Sequence, residues 1–83
     1  MIELDERGVL LSTKTNSIFF HWTEVSKIVR TRYKGTNALA LLNLNGEMIW
    51  FYRNSKIEKK LLELYPAAKQ LLVNDKRFFW RKR

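Results

Sequence analysis

The segment 37-NALALLNLNGEMIWFYRNSKIEKK-60 decides the fold. Asn45-Gly46 between two apolar runs is the strongest short-range hairpin signal, because a type I′ turn needs φ > 0 at both central residues and this pair tolerates it. Residues 39–44 and 48–52 are therefore expected as antiparallel partners. The first of these strands is apolar on both faces, which places it in the middle of a sheet. In Asn54-Ser55-Lys56-Ile57-Glu58, Ser55 falls at a helix N-cap with Glu58 three residues on, a capping box in which each side chain takes up an orphan backbone N–H of the other residue. The chain thus passes from sheet to helix within about two residues.

Toward the C-terminus, Ile57, Leu61, Leu64, Ala68 and Leu71 recur at helical spacing while Lys59, Lys60, Glu63 and Lys69 fall on the opposite side, so one amphipathic helix is expected over residues 56–73. Pro66 lacks a backbone donor and crowds the preceding turn, which implies a kink or a second helix starting there. A basic aromatic tail, 76-KRFFWRKR-83, ends the sequence. Toward the N-terminus, residues 2–4 and 9–13 read as a hairpin joined by Asp5-Glu6-Arg7-Gly8, with Gly8 suited to a left-handed turn position. Residues 18–22, IFFHW, have the β-branched and aromatic character of a third strand. Residues 22–25 are expected as a tight or single helical turn, and residues 26–33 as a strand ending at Lys34-Gly35-Thr36. Because Val25, Ile28, Val29 and Arg32 also recur at helical spacing, a two-turn helix over residues 24–30 is the alternative. The fold class is α+β: a bent antiparallel sheet of about six strands over residues 2–53, packed by the C-terminal helix.

Eighty-three residues form one domain. A chain of 10.0 kDa buries roughly 60–65% of its unfolded surface, so its stability is modest, and dimerisation is one way to add to it. There is no cysteine, hence neither a disulfide nor a thiolate, which fits a reducing compartment. No apolar run approaches the roughly 18–20 residues that span a bilayer. The acidic opening MIELDERG is unlike a signal peptide, and a cytoplasmic location is expected. Charge is lopsided: residues 1–24 carry −2 and residues 25–83 carry +10. With a pI near 10.1 the chain attracts polyanions, whether nucleic acid, anionic lipid headgroups or an acidic protein.

Arg7-Gly8-Val9 before a strand, the segment 20-FHWTEVSKI-28, and Asn45-Gly46-Glu47 leading to Ile49 and Phe51 together resemble the bacterial pleckstrin-homology-like and GRAM-like domains over about residues 4–72. In that family a "W-S/T-x-I/V-x-x-I" segment marks the strand where the sheet bends over, and a C-terminal helix plugs the open end. The resemblance implies a barrel of about seven strands. Only six are counted here, so the barrel is incomplete or closed by a partner. It also implies a binding or scaffolding module for phospholipid or protein, not an enzyme.

The residues themselves agree with a non-catalytic role. His21 is the sole histidine, too few ligands for a metal site and without a paired base for a triad. Glu58 and Glu63 are five apart and do not share a helix face. The three glycines lie in separate turns, so no phosphate-cradling loop exists, and no cofactor is expected. The remaining candidates are cationic and aromatic. Lys27, Arg30, Arg32 and Lys34 follow one strand; Arg53, Lys56, Lys59 and Lys60 surround the helix start; and Lys76, Arg77, Arg81, Lys82 and Arg83 flank Phe78, Phe79 and Trp80. Cations mixed with aromatics hold single-stranded nucleic acid or an anionic membrane surface, where the tail aromatics would enter the headgroup layer. Alternatively, the tail folds back over an apolar patch and its charges are merely solvated. The dipole at the helix N-terminus disfavours Lys56, Lys59 and Lys60, a conflict that a bound anion would relieve. The expected function is a binding or adaptor domain of pleckstrin-homology-like type that engages a protein or an anionic membrane surface, peripherally in the latter case. Nucleic-acid binding and self-association as a structural dimer are the rival readings.

Overall fold

Two hairpin ribbons in succession build the molecule. In the computed structural model, which describes the backbone of residues 1–81 and side chains through Phe79, β1 (Ile2–Leu4), β2 (Gly8–Ser12) and β3 (Ser17–His21) pair antiparallel as one small sheet. A 3-10 turn, Trp22–Glu24, redirects the chain into β4 (Val25–Tyr33), which pairs antiparallel with β5 (Thr36–Asn43), and β5 with β6 (Met48–Tyr52). The corner is held by side chains that the sequence supplies locally. The Glu24 carboxylate accepts from the His21 backbone N–H at 3.0 Å, and the Trp22 indole N–H donates to the Asp5 carbonyl at 2.8 Å while its ring stacks on Tyr65.

Helix α1 (Ser55–Leu64) then lays Leu61 into the core, where Phe20, Ile28, Leu39, Leu41 and Ile49 are also fully or almost fully buried. After Pro66 come a short helix α2 (Ala68–Leu71), strand β7 (Leu72–Asn74) and the single-turn helix α3 (Phe78–Arg81). As its two-faced apolar pattern implies, β5 is interior, with Ala38 to Leu41 wholly inaccessible.

Four local expectations are corrected. The Asn45-Gly46 loop is not a type I′ turn. Asn43 N–H donates to the Glu47 carbonyl, Gly46 N–H donates to the Asn43 carbonyl, and the Asn43 side-chain oxygen accepts from the N–H groups of Asn45 and Glu47. That network closes a three-residue loop in which Gly46 alone has positive φ, 83°. The turn with both central residues at positive φ is Lys34-Gly35, at 51° and 80°, set by the Tyr33↔Thr36 register.

Gly8, by contrast, does not adopt the left-handed conformation; it is required by close approach. A Cβ there would collide with the Phe20 carbonyl oxygen and lie 2.9 Å from His21 Cα.

The third correction concerns the helix start. Asn54 is the N-cap, and its side-chain oxygen accepts from the N–H groups of Lys56 and Ile57. Glu58 has left the expected capping box because two guanidinium groups reach it, and charge-assisted hydrogen bonds are roughly twice as strong as neutral ones.

Finally, the helix expected over residues 56–73 stops short. Leu72 to Asn74 extend and pair parallel with Ile28 to Arg30, covering the free edge of β4 that would otherwise be a bare ladder of backbone groups. The described residues therefore form seven strands, not six, in a three-stranded antiparallel sheet and a four-stranded mixed sheet of order β6-β5-β4-β7, and they do not close a barrel.

The four-stranded sheet is covered on both sides. Its inner face meets β1 to β3 and α1. On its outer face Phe78 is buried against Val29 and Ala40, and Phe79 joins it beside Trp50, as the reading of the tail as a folded-back cover implies for these two rings.

Candidate anion-binding site

Alternation along β4 creates the site. Ile28, Arg30 and Arg32 share the inner face, opposite Leu41, Leu39 and Asn37 of β5, so one side of the strand changes from apolar to cationic as it approaches the hairpin tip. On the far side of β5 the same face carries Ile49 and Phe51 of β6, then Arg53, whose backbone N–H donates to the Asn37 carbonyl at 2.9 Å. Strand β7 supplies the opposite wall: Asn74 lies alongside Arg30, the Asp75 N–H donates to the Arg30 carbonyl, and Lys76 follows. The product is an open cleft of about 410 Å³ across one end of the sheet, lined by Arg30, Thr31, Arg32, Asn37, Arg53, Asn74 and Lys76. Every lining residue is of polar or charged type, and the aliphatic stems of the long cations contribute apolar surface beside their charged heads. The nearly buried Thr31 hydroxyl has no hydrogen-bond partner among the described residues.

Glu58, 8% exposed, holds two of these cations. Its carboxylate accepts from Arg30 Nε at 2.9 Å and from Arg53 Nε and Nη2 at 3.3 and 3.0 Å. Arg30 thus engages Glu58 through Nε, and its two terminal nitrogens make no hydrogen bond among the described residues. Arg32 and Lys76 make no side-chain hydrogen bond or ion pair within the described residues. Arg30 and Arg53 share the Glu58 carboxylate, and Arg32 and Lys76 add two further cations to the lining, a concentration of positive charge that suits an anion.

Burial by itself would raise the Glu58 pKa. The hydrogen bonds and charges of Arg53 and Arg30 together outweigh it, and the carboxyl titrates below its usual value of 4.5. A folded-state pKa that is depressed contributes stability that is present above the unfolded value and lost as pH falls through the folded one. In urea unfolding at neutral pH, Glu58→Gln is expected to cost about 1–2 kcal/mol, discounted from a fully buried pair because both arginines are about a third exposed. That cost should shrink as pH is lowered from about 6 to about 3. Parallel pH profiles for the two proteins would remove the carboxylate from this role.

Of the residues singled out from sequence, Arg30, Arg32, Arg53 and Lys76 converge here. Lys34 occupies the hairpin turn, its ammonium 5.4 Å from the Tyr33 ring centroid, and Lys27 lies at a β-bulge. Lys56 and Lys59 are exposed on α1 and do not line this cleft. Lys60 borders a second hollow with Leu4, Asp5, Glu6, Arg7 and Leu64, whose two acids make it a poor place for an anion. Arg77 is exposed, and its backbone N–H donates to the Asp75 carboxylate. Phe79 packs between Tyr33 and Trp50. The side chains of Trp80 and Arg81, with Lys82 and Arg83, lie outside the described residues.

Sequence reasoning missed Asn37, Asn74 and the positioning role of Glu58. The Lys34-Gly35 turn does fix Asn37 opposite Arg32, so that residue was within reach of a register argument. Among the described residues there is no cluster of three or more His, Cys, Asp or Glu placed to hold a metal, and no helix long and apolar enough to cross a membrane. The chain matches no protein-family model and no curated protein.

Proposed function

We propose that this chain is a non-catalytic binding or adaptor module of pleckstrin-homology-like type that docks an anionic partner in the cleft between Arg53 and Lys76. One observation carries the reading: four cations from three separate parts of the chain converge on an open cleft, and only two of them, Arg30 and Arg53, share the Glu58 carboxylate. Guanidinium groups suit this task because each offers a rigid fork of donors to carboxylate or phosphate oxygens. The succession of two small sheets followed by an amphipathic helix across the core supports the pleckstrin-homology-like part of the proposal. An acidic protein, an anionic lipid surface and a nucleic acid all present the chemistry this cleft accepts, and each is met in the cytoplasm.

Calorimetric titration with inorganic polyphosphate tests the site. The double variant Arg32→Ala, Lys76→Ala is expected to bind at least about tenfold more weakly, equivalent to about 1.4 kcal/mol. Lys14→Ala, Lys69→Ala, which removes the same charge from exposed positions elsewhere, should change affinity far less. Equal losses in the two variants would reduce the binding to overall charge and dissolve the site.

A further inference from the structure

The outer face of the four-stranded sheet carries what the cleft lacks. Trp50 lies at the centre of a ring network, with Tyr52, Tyr33 and Phe79 centroids 5.4, 4.7 and 5.4 Å away, all packed edge to face. Tyr52 is the outermost, 49% exposed. Trp50 and Tyr52 are successive outer-face positions of β6, and β6 is an edge strand with no strand beyond it among the described residues. The next residue is Arg53, which the strand's alternation turns to the inner face and into the cleft. The aromatic row and the cation row therefore lie on opposite faces of the sheet and come together at the β6 edge, where Tyr52 and Arg53 are adjacent residues.

From this juxtaposition we infer that the cleft and the β6 edge form one track for single-stranded nucleic acid, with phosphates at Arg30, Arg32, Arg53 and Lys76 and a base against Tyr52. The inference rests on the proposed anion-binding role of the cleft and names its ligand. A groove of positive charge bordered by aromatic rings is how sequence-tolerant single-strand binders work, since every base has a π-face and every nucleotide a phosphate.

Other polyanions use less of the surface. An acidic peptide would satisfy the cations and leave the rings idle. A membrane would call on the tail aromatics as inserting groups, yet Phe78 and Phe79 are packed inward on the sheet. Duplex DNA is read by a helix or two-stranded ribbon seated in a groove, whereas these cations line a concave cleft.

Fluorescence anisotropy on the full chain tests the inference with three labelled probes: oligothymidylate, an abasic phosphodiester strand of equal length, and a duplex, each about 15 units long to fill a typical footprint of roughly 4–16 nucleotides. Vesicles containing phosphatidylserine serve as the membrane arm. The wild-type protein is expected to bind oligothymidylate about tenfold more tightly than the abasic strand, a gain within the usual range for stacking one base. Tyr52→Ala should erase that preference while leaving abasic binding unchanged, and Arg32→Ala, Lys76→Ala should weaken both strands. Equal affinity of the wild-type protein for the base-bearing and abasic strands would overturn the inference and spare the cleft. Preference for the duplex, or vesicle binding without oligonucleotide binding, would also overturn it. Strand binding that is indifferent to Arg32 and Lys76 would instead overturn the cleft itself. The abasic comparison uses the unmodified protein, so the result does not depend on how well any variant folds.

Discussion

Truncating Leu61 to alanine is expected to cost the fold about 2–5 kcal/mol, the usual loss when a fully buried leucine leaves a cavity that its neighbours only partly fill. Leu61 has no exposed surface and is the residue by which α1 enters the core between the two sheets. The sheets cannot relax into the gap easily, because β5 is pinned on both sides by its ladders with β4 and β6. For a chain of this length total stability is on the order of 4–12 kcal/mol, so the loss is a large share of the whole. Urea unfolding followed by circular dichroism should show a sharply lowered midpoint, with Leu44→Ala, at the exposed loop tip, as an unaffected control. An unchanged midpoint for Leu61→Ala would mean that α1 does not seal the core.

Gly8→Ala is expected to be almost as damaging, at about 3 kcal/mol, the upper part of the range for overpacking. The reason is backbone against backbone. The new methyl group would meet the Phe20 carbonyl and His21 Cα, neither of which can swing aside as a side chain does. Gly8 pairs with His21 in the β2–β3 ladder, so relief requires parting the strands immediately before the 3-10 turn that orients β4. Far-ultraviolet circular dichroism and a thermal melt would register the change, since each kcal/mol lost lowers Tm by about 4–8 °C in a domain of this size. A variant as stable as the parent would show that the strands are further apart at this point than described.

Much of the architecture was legible because it is local. The apolar runs of β5 and β6, the Trp22–Glu24 turn and the amphipathic α1 each announce themselves within a few residues, whereas β4 also fits helical spacing and is fixed as a strand by its pairing with β5. What escaped depends on partners distant in the chain. Strand β7 is three residues long and has no periodicity of its own; the open edge of β4 makes it a strand. Glu58 fits a capping box when only Ser55 is considered, and it becomes the anchor of two arginines once β4 is folded beside α1.

The candidate site shows the same division. The cations are plain in the sequence, yet their convergence is a matter of register. Arg30 and Arg32 fall on one face of β4, Arg53 continues the matching face of β6, and Lys76 arrives only because β7 docks where it does. The conflict of charges at the start of α1 directed attention to Lys56, Lys59 and Lys60, while the cleft formed around a different set of cations.

If anions dock in the cleft, its own residues must respond first. A nitrogen-edited proton NMR titration of the full chain with oligothymidylate reads this response residue by residue. The backbone and side-chain N–H signals of Arg30, Arg32, Asn37, Arg53 and Lys76 are expected to shift together and saturate with a single affinity, Tyr52 moving with them. Shifts centred on Lys56, Lys59 and Lys60, or spread evenly over every lysine and arginine, would contradict docking in the cleft.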